Sequence, residues 1–375
     1  MDFDLAEHHV NIKALARAFA ERTVRPRARE IDRTSEWPAD IVRGLSEIGL
    51  LGLRYPQEYG GVGADYSSYV LAIEELSRVS VAVGAIVQSS ILAEEIIFAF
   101  GTEEQKRRHL EPLLKGRHMG TLAFTEAGTG SDPKAITTVA KLKGDSYLLS
   151  GEKTFGTLAP AAKIAVIFAK DETGRVSTFI VDTGAPGFKV GKHWDTLGLR
   201  GSGTCPLYLS DVPVPKDGLL GEKGKGYDML LHTIGVGRLG ICAGALGAGQ
   251  AALELSIDYA KNRIVRNAPM ANLPTVQVEL AEMATKIEAA RCLTYRSAWL
   301  KDQGKDIRKE VAMAKLFSSE AAVHCTSLGM QIHGSYGYCK DYDIERFYRD
   351  AKVFPILEGV SEMLSMIIAQ SILRE

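Results

Sequence analysis

Cysteine is scarce in this chain and never placed where chemistry would need it. The five residues, Cys205, Cys242, Cys292, Cys325 and Cys339, are scattered and odd in number. They form no Cys-x-x-Cys pair and no metal-ligand spacing, and His333 and Cys339 are too isolated to suggest an ion, so no metal is expected. The cysteines read as buried thiols of a reducing, cytoplasmic compartment. An excess of one charge is also missing: 45 Lys+Arg stand against 46 Asp+Glu, for a formal net charge of −1. That argues against nucleic acid or a charged membrane surface as partner. No apolar run is read as reaching membrane-spanning length, so no insertion is expected. Met1–Leu5 is acidic with no basic stretch before an apolar block, so no secretory signal is expected. Internal repeats and low-complexity linkers are absent.

What is present falls into three zones of different hydrophobic period, in a chain of 375 residues, long enough for two or three domains. Residues 1–120 read as a helical domain. Period-3.6 patterns run over Phe3–Ile31, Ile41–Ile48 and Tyr66–Val79, and Glu103–Lys115 reads as a charged surface helix closed by Gly116. Residues 121–224 switch to period two. A hairpin is predicted from Ile136–Leu142, Gly144-Asp145 and Ser146–Ser150. Strands follow at Lys163–Ala169, Val176–Val181, Phe188–Val190, Pro206–Asp211 and Val212–Pro215, which suggests a small β-barrel or sandwich. In residues 225–375 helices return over Gly226–Asn262, Pro274–Gln303, Ile307–Gly334 and Val360–Leu373, enough for a four-helix bundle. The expected fold is mainly α with a central β domain.

Three constellations carry possible chemistry. Glu358 stands between Phe354, Ile356 and Leu357 and the apolar run from Val360. Apolar surroundings strip hydration from a carboxylate and raise its pKa toward values useful for a base. Gly359 leaves room for another molecule to approach the backbone. The bland alternative is a helix-start acid favoured by the helix dipole. The turn Phe124-Thr125-Glu126-Ala127-Gly128-Thr129-Gly130-Ser131-Asp132 offers backbone N–H groups and the Thr125 and Ser131 hydroxyls to an anion or an electron-rich ring edge. It is neither a Rossmann fingerprint nor a Walker loop, because no βαβ unit and no Gly-Lys-Ser/Thr follows. Phe155 and Thr157 alternate by two, so on a strand they would share a face, an aromatic plate beside a hydroxyl donor. An ordinary loop, and a core Phe beside a strand Thr, are the bland readings of these two segments.

Taken in order, these motifs make the whole chain resemble the acyl-CoA dehydrogenases. The carrying residues are Thr-Glu-x-Gly-x-Gly-Ser-Asp at 125–132, Gly-x-Lys-x-aromatic-x-Thr at 151–157 and the run from Gly198 to Pro215. Tyr259–Arg263, Gln331–Gly334, Tyr348–Ala351 and Glu358-Gly359 complete the set. The resemblance implies FAD as cofactor, an acyl-CoA thioester as substrate, an electron-transferring flavoprotein as acceptor, and a homodimer or homotetramer. It places the Phe124 backbone, Thr125, Gly130 and Ser131 at the flavin edge and pyrophosphate, Phe155 beside the ring and Thr157 near N5. Arg263, Gln331, Gly334 and Ser335 would reach the FAD of a neighbouring subunit. Glu358 would be the catalytic base. Ser131, Arg238, Gln88, Leu357 and Gly359 would line the substrate. A flavin oxidase or monooxygenase of the same fold, and a non-catalytic thioester binder, are the alternatives.

The sequence departs from the family at several points. Phe155 replaces a usual Trp, and Arg263-Ile264-Val265-Arg266-Asn267 loses the Phe and Gly of Arg-x-x-Phe-Gly. Gln331–Ser335 ends in Gly-Ser instead of Gly-Gly, and Glu358–Glu362 replaces Glu-Gly-Thr-Ser-Gln. Some relatives carry the base one residue before the Arg now at 238; here that residue is Gly237. The stretch Ala82–Ser90 should line the acyl pocket, and no Arg occurs between Val79 and Phe100, so a dicarboxylic acyl group would lack a partner. Glu94-Glu95 reads as a solvated helix turn, with an extra carboxylate near the pocket as the sharper alternative.

Overall fold

In the computed structural model the described residues are 4–374. The acidic start at Met1 and the helical period beginning at Phe3 therefore lie partly outside them. Six α-helices come first: α1 (Glu7–Phe19), α2 (Ala28–Thr34), α3 (Ala39–Glu47), α4 (Tyr66–Ser77), α5 (Val81–Phe100) and α6 (Glu103–Leu114). The period expected to run unbroken to Ile31 is interrupted between α1 and α2 by a π-turn at Ala20–Val24 and a 3₁₀ turn at Arg25–Arg27. Pro26 sits in that second turn and has no N–H to continue an α-helix. Local chemistry sets the starts of the others. Thr102 and Gln105 form a reciprocal capping box on α6. Asp65 caps α4 by accepting the Ser68 N–H at 2.8 Å, and its other oxygen bonds His8 and His9.

The middle of the chain forms one sheet from β1 (Met119–Ala123), β2 (Val139–Lys143), β3 (Ser146–Gly156), β4 (Ala162–Lys170), β5 (Val176–Asp182), β6 (Phe188–Val190), β7 (Cys205–Pro215) and β8 (Leu219–Leu220). The strand order is β6-β7-β3-β2-β4-β5-β8, with β1 parallel to β4. The central β domain is thus as expected, although the ends of this path do not pair and barrel is a loose word for the sheet. The two strands predicted at 206–211 and 212–215 are one strand. Asp211, at φ 50°, makes an irregularity where β3 and β7 shift register. Side chains of Leu149, Phe179, Leu207 and Val212 fill this domain's core.

Five helices close the chain: α7 (Gly226–Asn262), α8 (Pro274–Asp302), α9 (Arg308–His333), α10 (Ile344–Ala351) and α11 (Ser361–Ile372). α7 packs against α8 and α9 on one side and α4 and α5 on the other. Its glycines allow the close approach: a Cβ on Gly240 would lie 2.5 Å from the Tyr69 hydroxyl and 2.6 Å from Gln88 Cγ. Contrary to expectation, α5 and α7 are long and apolar enough to cross a membrane by length and composition. In each, 78% of the most apolar window is buried inside the protein, so these are interior helices of the fold. The cysteine expectation also needs correction: Cys205, Cys242 and Cys325 are buried, but Cys292 and Cys339 are exposed.

Candidate active site

Glu358 lies in the turn between α10 and α11, outside any helix, so the helix-start reading of this acid fails. Its backbone is left-handed, at φ 51°, and Gly359 follows at φ 105°. The carboxylate points at α5 and α7. Oε1 accepts the Gln88 amide at 2.7 Å, while Oε2 is buried with no partner. A Cβ on Gly237 would sit 2.6 Å from that oxygen. Any side chain at position 237 would therefore compete with the Glu358 carboxylate for one space. Burial raises the Glu358 carboxyl to about 7, against the pull of Arg238, Lys315 and the Gln88 bond.

Arg238 is half-buried and spends its Nε on the Glu358 carbonyl at 3.0 Å. Lys315, which sequence reasoning missed, is fully buried on α9 and donates to the Gly359 carbonyl at 2.7 Å. Beside this group runs a narrow, nearly filled slot with room for about 10 Å³. Gln88, Leu357, Leu199, Gly240 and Phe354 line it, and none of the lining residues is charged. Leu199 comes from the sheet domain. Its loop is docked on α10 by the Leu199 N–H to Asp350 bond at 2.7 Å.

The glycine turn after β1 is held from behind by residues that spacing did not reveal. Glu126 accepts Thr137 and Thr138 through both backbone and hydroxyl donors at 2.6–3.0 Å, and Lys153 at 2.8 Å. These bonds hold the Glu126 carboxyl down at about 2, and burial pushes Lys153 down to about 8. The front of the turn is open. Gly130 and Ser131 are exposed, and a Cβ on Gly128 would meet nothing within 4 Å. Phe124 and Thr125 are half-buried, with the Thr125 carbonyl taken by the Thr154 N–H at 2.9 Å. Phe155 is 59% exposed next to Trp194, with ring centroids 5.9 Å apart. Strand alternation does not put it with Thr157, because Phe155 is left-handed at φ 54° and β3 ends at Gly156. An exposed aromatic ring beside an open turn of backbone donors fits a planar cofactor carrying phosphates.

Arg263, Gln331, Gly334 and Ser335 are exposed at the far end of α7. Arg263 lies over the Tyr336 ring at 5.6 Å and lines an open cavity of about 390 Å³ with Tyr259, His333, Tyr336 and Tyr342. Tyr259 and His333 stack at 4.3 Å. From Arg238 to Asn262 is about 36 Å along one helix at 1.5 Å per residue, so this cavity is remote from Glu358 of the same chain.

Glu94 and Glu95 are buried, at 2% and 3% exposure, which overturns the solvated-turn reading. Glu95 pairs with Arg54 and lies 3.0 Å from His232. Glu94 is raised to about 8 by burial. Arg54 is forty residues away in sequence and supplies the counter-charge that local reading did not see.

Comparison with known proteins follows the same three zones. Family models described as the acyl-CoA dehydrogenase N-terminal, middle and C-terminal domains match residues 6–117, 121–212 and 224–373. The chain is 42% identical over 374 residues to the 3-(aryl)acrylate reductase of Clostridium sporogenes, covering 98% of this chain and 99% of that protein. It superposes with a TM-score of 0.97 on butyryl-CoA dehydrogenase from Megasphaera elsdenii, at 36% identity and complete coverage of both chains. A structure reported for the electron-transferring flavoprotein of Acidaminococcus fermentans and its electron bifurcation contains a chain matched at a TM-score of 0.98 and 40% identity, again over all of both chains. The chain belongs to the acyl-CoA dehydrogenase family.

Proposed function

We propose that this chain is an FAD-dependent acyl-CoA dehydrogenase in which Glu358 removes the α-proton of a bound thioester. The observation that carries the proposal is the buried, unpartnered Oε2 of Glu358 at the rim of an uncharged slot. With its carboxyl raised to about 7, Glu358 is substantially ionised near neutral pH and still a strong enough base to matter. The C–H bond at the α-carbon breaks and the proton passes to Oε2. The Glu358 N–H has no acceptor among the described residues, which leaves it for the thioester carbonyl as negative charge develops there. The hydride acceptor for the β-carbon would be supplied by FAD. Phe155 and the turn Phe124–Ser131 would hold its ring and phosphates, with Thr157 at the ring edge. Ser131 and Arg238 would face the substrate at the mouth of the slot.

The slot supports a short, uncharged acyl group, since none of its lining residues offers a cation to a terminal carboxylate. Similarity to a reductase fits the same site, because a base that takes a proton in one direction returns it in the other. Family membership favours this dehydrogenation chemistry over an oxidase or a non-catalytic binder. An electron-transferring flavoprotein is the acceptor we propose. The remoteness of the Arg263 cavity supports a homo-oligomer, dimer or tetramer, in which that cavity serves the FAD of another copy.

Replacement of Glu358 by Gln keeps shape and removes basicity. FAD content and fold should be unchanged, while flavin bleaching by an acyl-CoA panel should slow by roughly 10³-fold. Bleaching within tenfold of wild type would place the base elsewhere.

A further inference from the structure

We propose that Lys315 is a positioning residue for the base, acting with Arg238 as a two-cation clamp on the main chain of the Glu358–Gly359 turn. The inference rests on Glu358 being the base. Lysine is almost never fully buried without a partner of opposite charge. Lys315 is 0% exposed, and no carboxylate lies within ion-pairing distance of it among the described residues. Its ammonium is spent on a carbonyl, Gly359 O at 2.7 Å. Arg238, from a different helix, takes the preceding carbonyl, Glu358 O at 3.0 Å.

The turn between these donors needs holding. Glu358 and Gly359 are successive left-handed residues, and a non-glycine in that region costs free energy that the surroundings must offset. Arg238 also closes on Gly359 itself, where a Cβ would lie 3.0 Å from Arg238 Nη2. Because the cations bind carbonyls, the carboxylate keeps one oxygen on Gln88 and one free. A direct ion pair would have occupied that free oxygen and pulled its basicity down much further. The clamp therefore supplies positive charge near the base without covering it. The charged and titratable groups around Glu358 are Arg238 and Cys242 on α7, Lys315 on α9 and Tyr69 on α4, with uncharged Gln88 on α5. Arg238 and Lys315 are the cations among them, so losing Lys315 removes one of two.

The test compares Lys315→Met, Lys315→Gln and Lys315→Arg in the FAD-loaded protein. Three quantities are read: hydrogen–deuterium exchange of residues 355–361, the rate of flavin bleaching by substrate, and the pH at which that rate falls on the acid side. Lys315→Met should keep its FAD, exchange faster in 355–361 and bleach 10- to 100-fold slower. Its acid limb should move to higher pH, because a positive charge that favoured the carboxylate is gone. Lys315→Arg should restore the limb. Lys315→Gln keeps a donor without charge, so it should move the limb with less added exchange, and it serves if the Met variant does not fold. A slower rate with an unmoved limb, or unchanged exchange in the Met variant, overturns the clamp. Normal bleaching by Glu358→Gln would instead remove the base assignment, and the exchange result would still report on the clamp.

Discussion

The two ends of α7 are built on opposite plans. Near Arg238 the charged groups are tied to named partners, and the slot beside Glu358 is nearly filled, with room for about 10 Å³. Near Arg263 the cavity is open and larger, about 390 Å³, and Tyr259, His333, Tyr336 and Tyr342 bring aromatic rings to its lining. The buried end raises the proton affinity of Glu358 within one chain, because its Oε2 is already shut away from solvent without a partner. The exposed end presents stacking surfaces and a guanidinium without enclosing anything.

The sharpest way to probe the buried end is through its second carboxylate. Glu94, like Glu358, has a buried oxygen without a partner, but it faces Tyr55 and Arg54. Its carboxyl is raised from 4.5 to about 8. An acid with a raised folded pKa binds its proton more tightly when folded. Its contribution to stability is therefore complete below about 4.5 and is lost as pH climbs toward 8. Glu94→Gln should abolish a slope of about 1.4 kcal/mol per pH unit across that window, several kcal/mol in all. Denaturant melts at half-unit pH steps read it. Coincident wild-type and variant slopes would mean that water reaches Glu94, and that this end of α7 is less closed than the 2% exposure of Glu94 implies.

Gly237→Ala tests the same enclosure sterically. The new methyl would press on Glu358 Oε2 at 2.6 Å and on Leu92 at 2.7 Å. Displacing the base by even part of an ångström should slow flavin bleaching about 100-fold, with FAD content unchanged. A loss of less than threefold would show that the turn yields, and would weaken the contrast between a rigid and an open end.

How much of this was legible in the sequence follows from what each signal depends on. Helix and strand positions came through because hydrophobic period is local. α7 begins and ends at the residues read from the sequence, Gly226 and Asn262, and β6 likewise spans the expected Phe188–Val190. The errors arose where a distant residue or a backbone twist decided the outcome. Glu94-Glu95 looks like a surface pair until Arg54 is brought beside it by the fold. Lys315 sits in Ala-Met-Ala-Lys-Leu-Phe, a pattern equally suited to a solvated lysine. Only the return of the chain at Gly359 gives it a partner. Phe155 was expected to obey strand alternation, and a single left-handed residue cancelled it. Local chemistry singles out Glu358 and the family resemblance names Gln88, but the 2.7 Å bond between these two residues, 270 positions apart, is a product of folding.

The smallest expected effect belongs to the exposed end. Arg263 has no ion-pair partner among the described residues and rests on the Tyr336 ring at 5.6 Å. Removing it should cost little within a protomer, since a solvated cation over a ring contributes only about 0.5–1 kcal/mol. If the cavity instead receives phosphate from a neighbouring copy, the guanidinium becomes a charge-assisted donor between chains. Arg263→Ala should then weaken FAD retention about tenfold, and because cofactor and interface stabilise each other it should also shift the sizing profile toward smaller species. Added FAD should drive the profile back. Full FAD retention by a monomeric variant would show that the far end of α7 plays no part in cofactor binding, and the contrast between the two ends would reduce to one of burial alone.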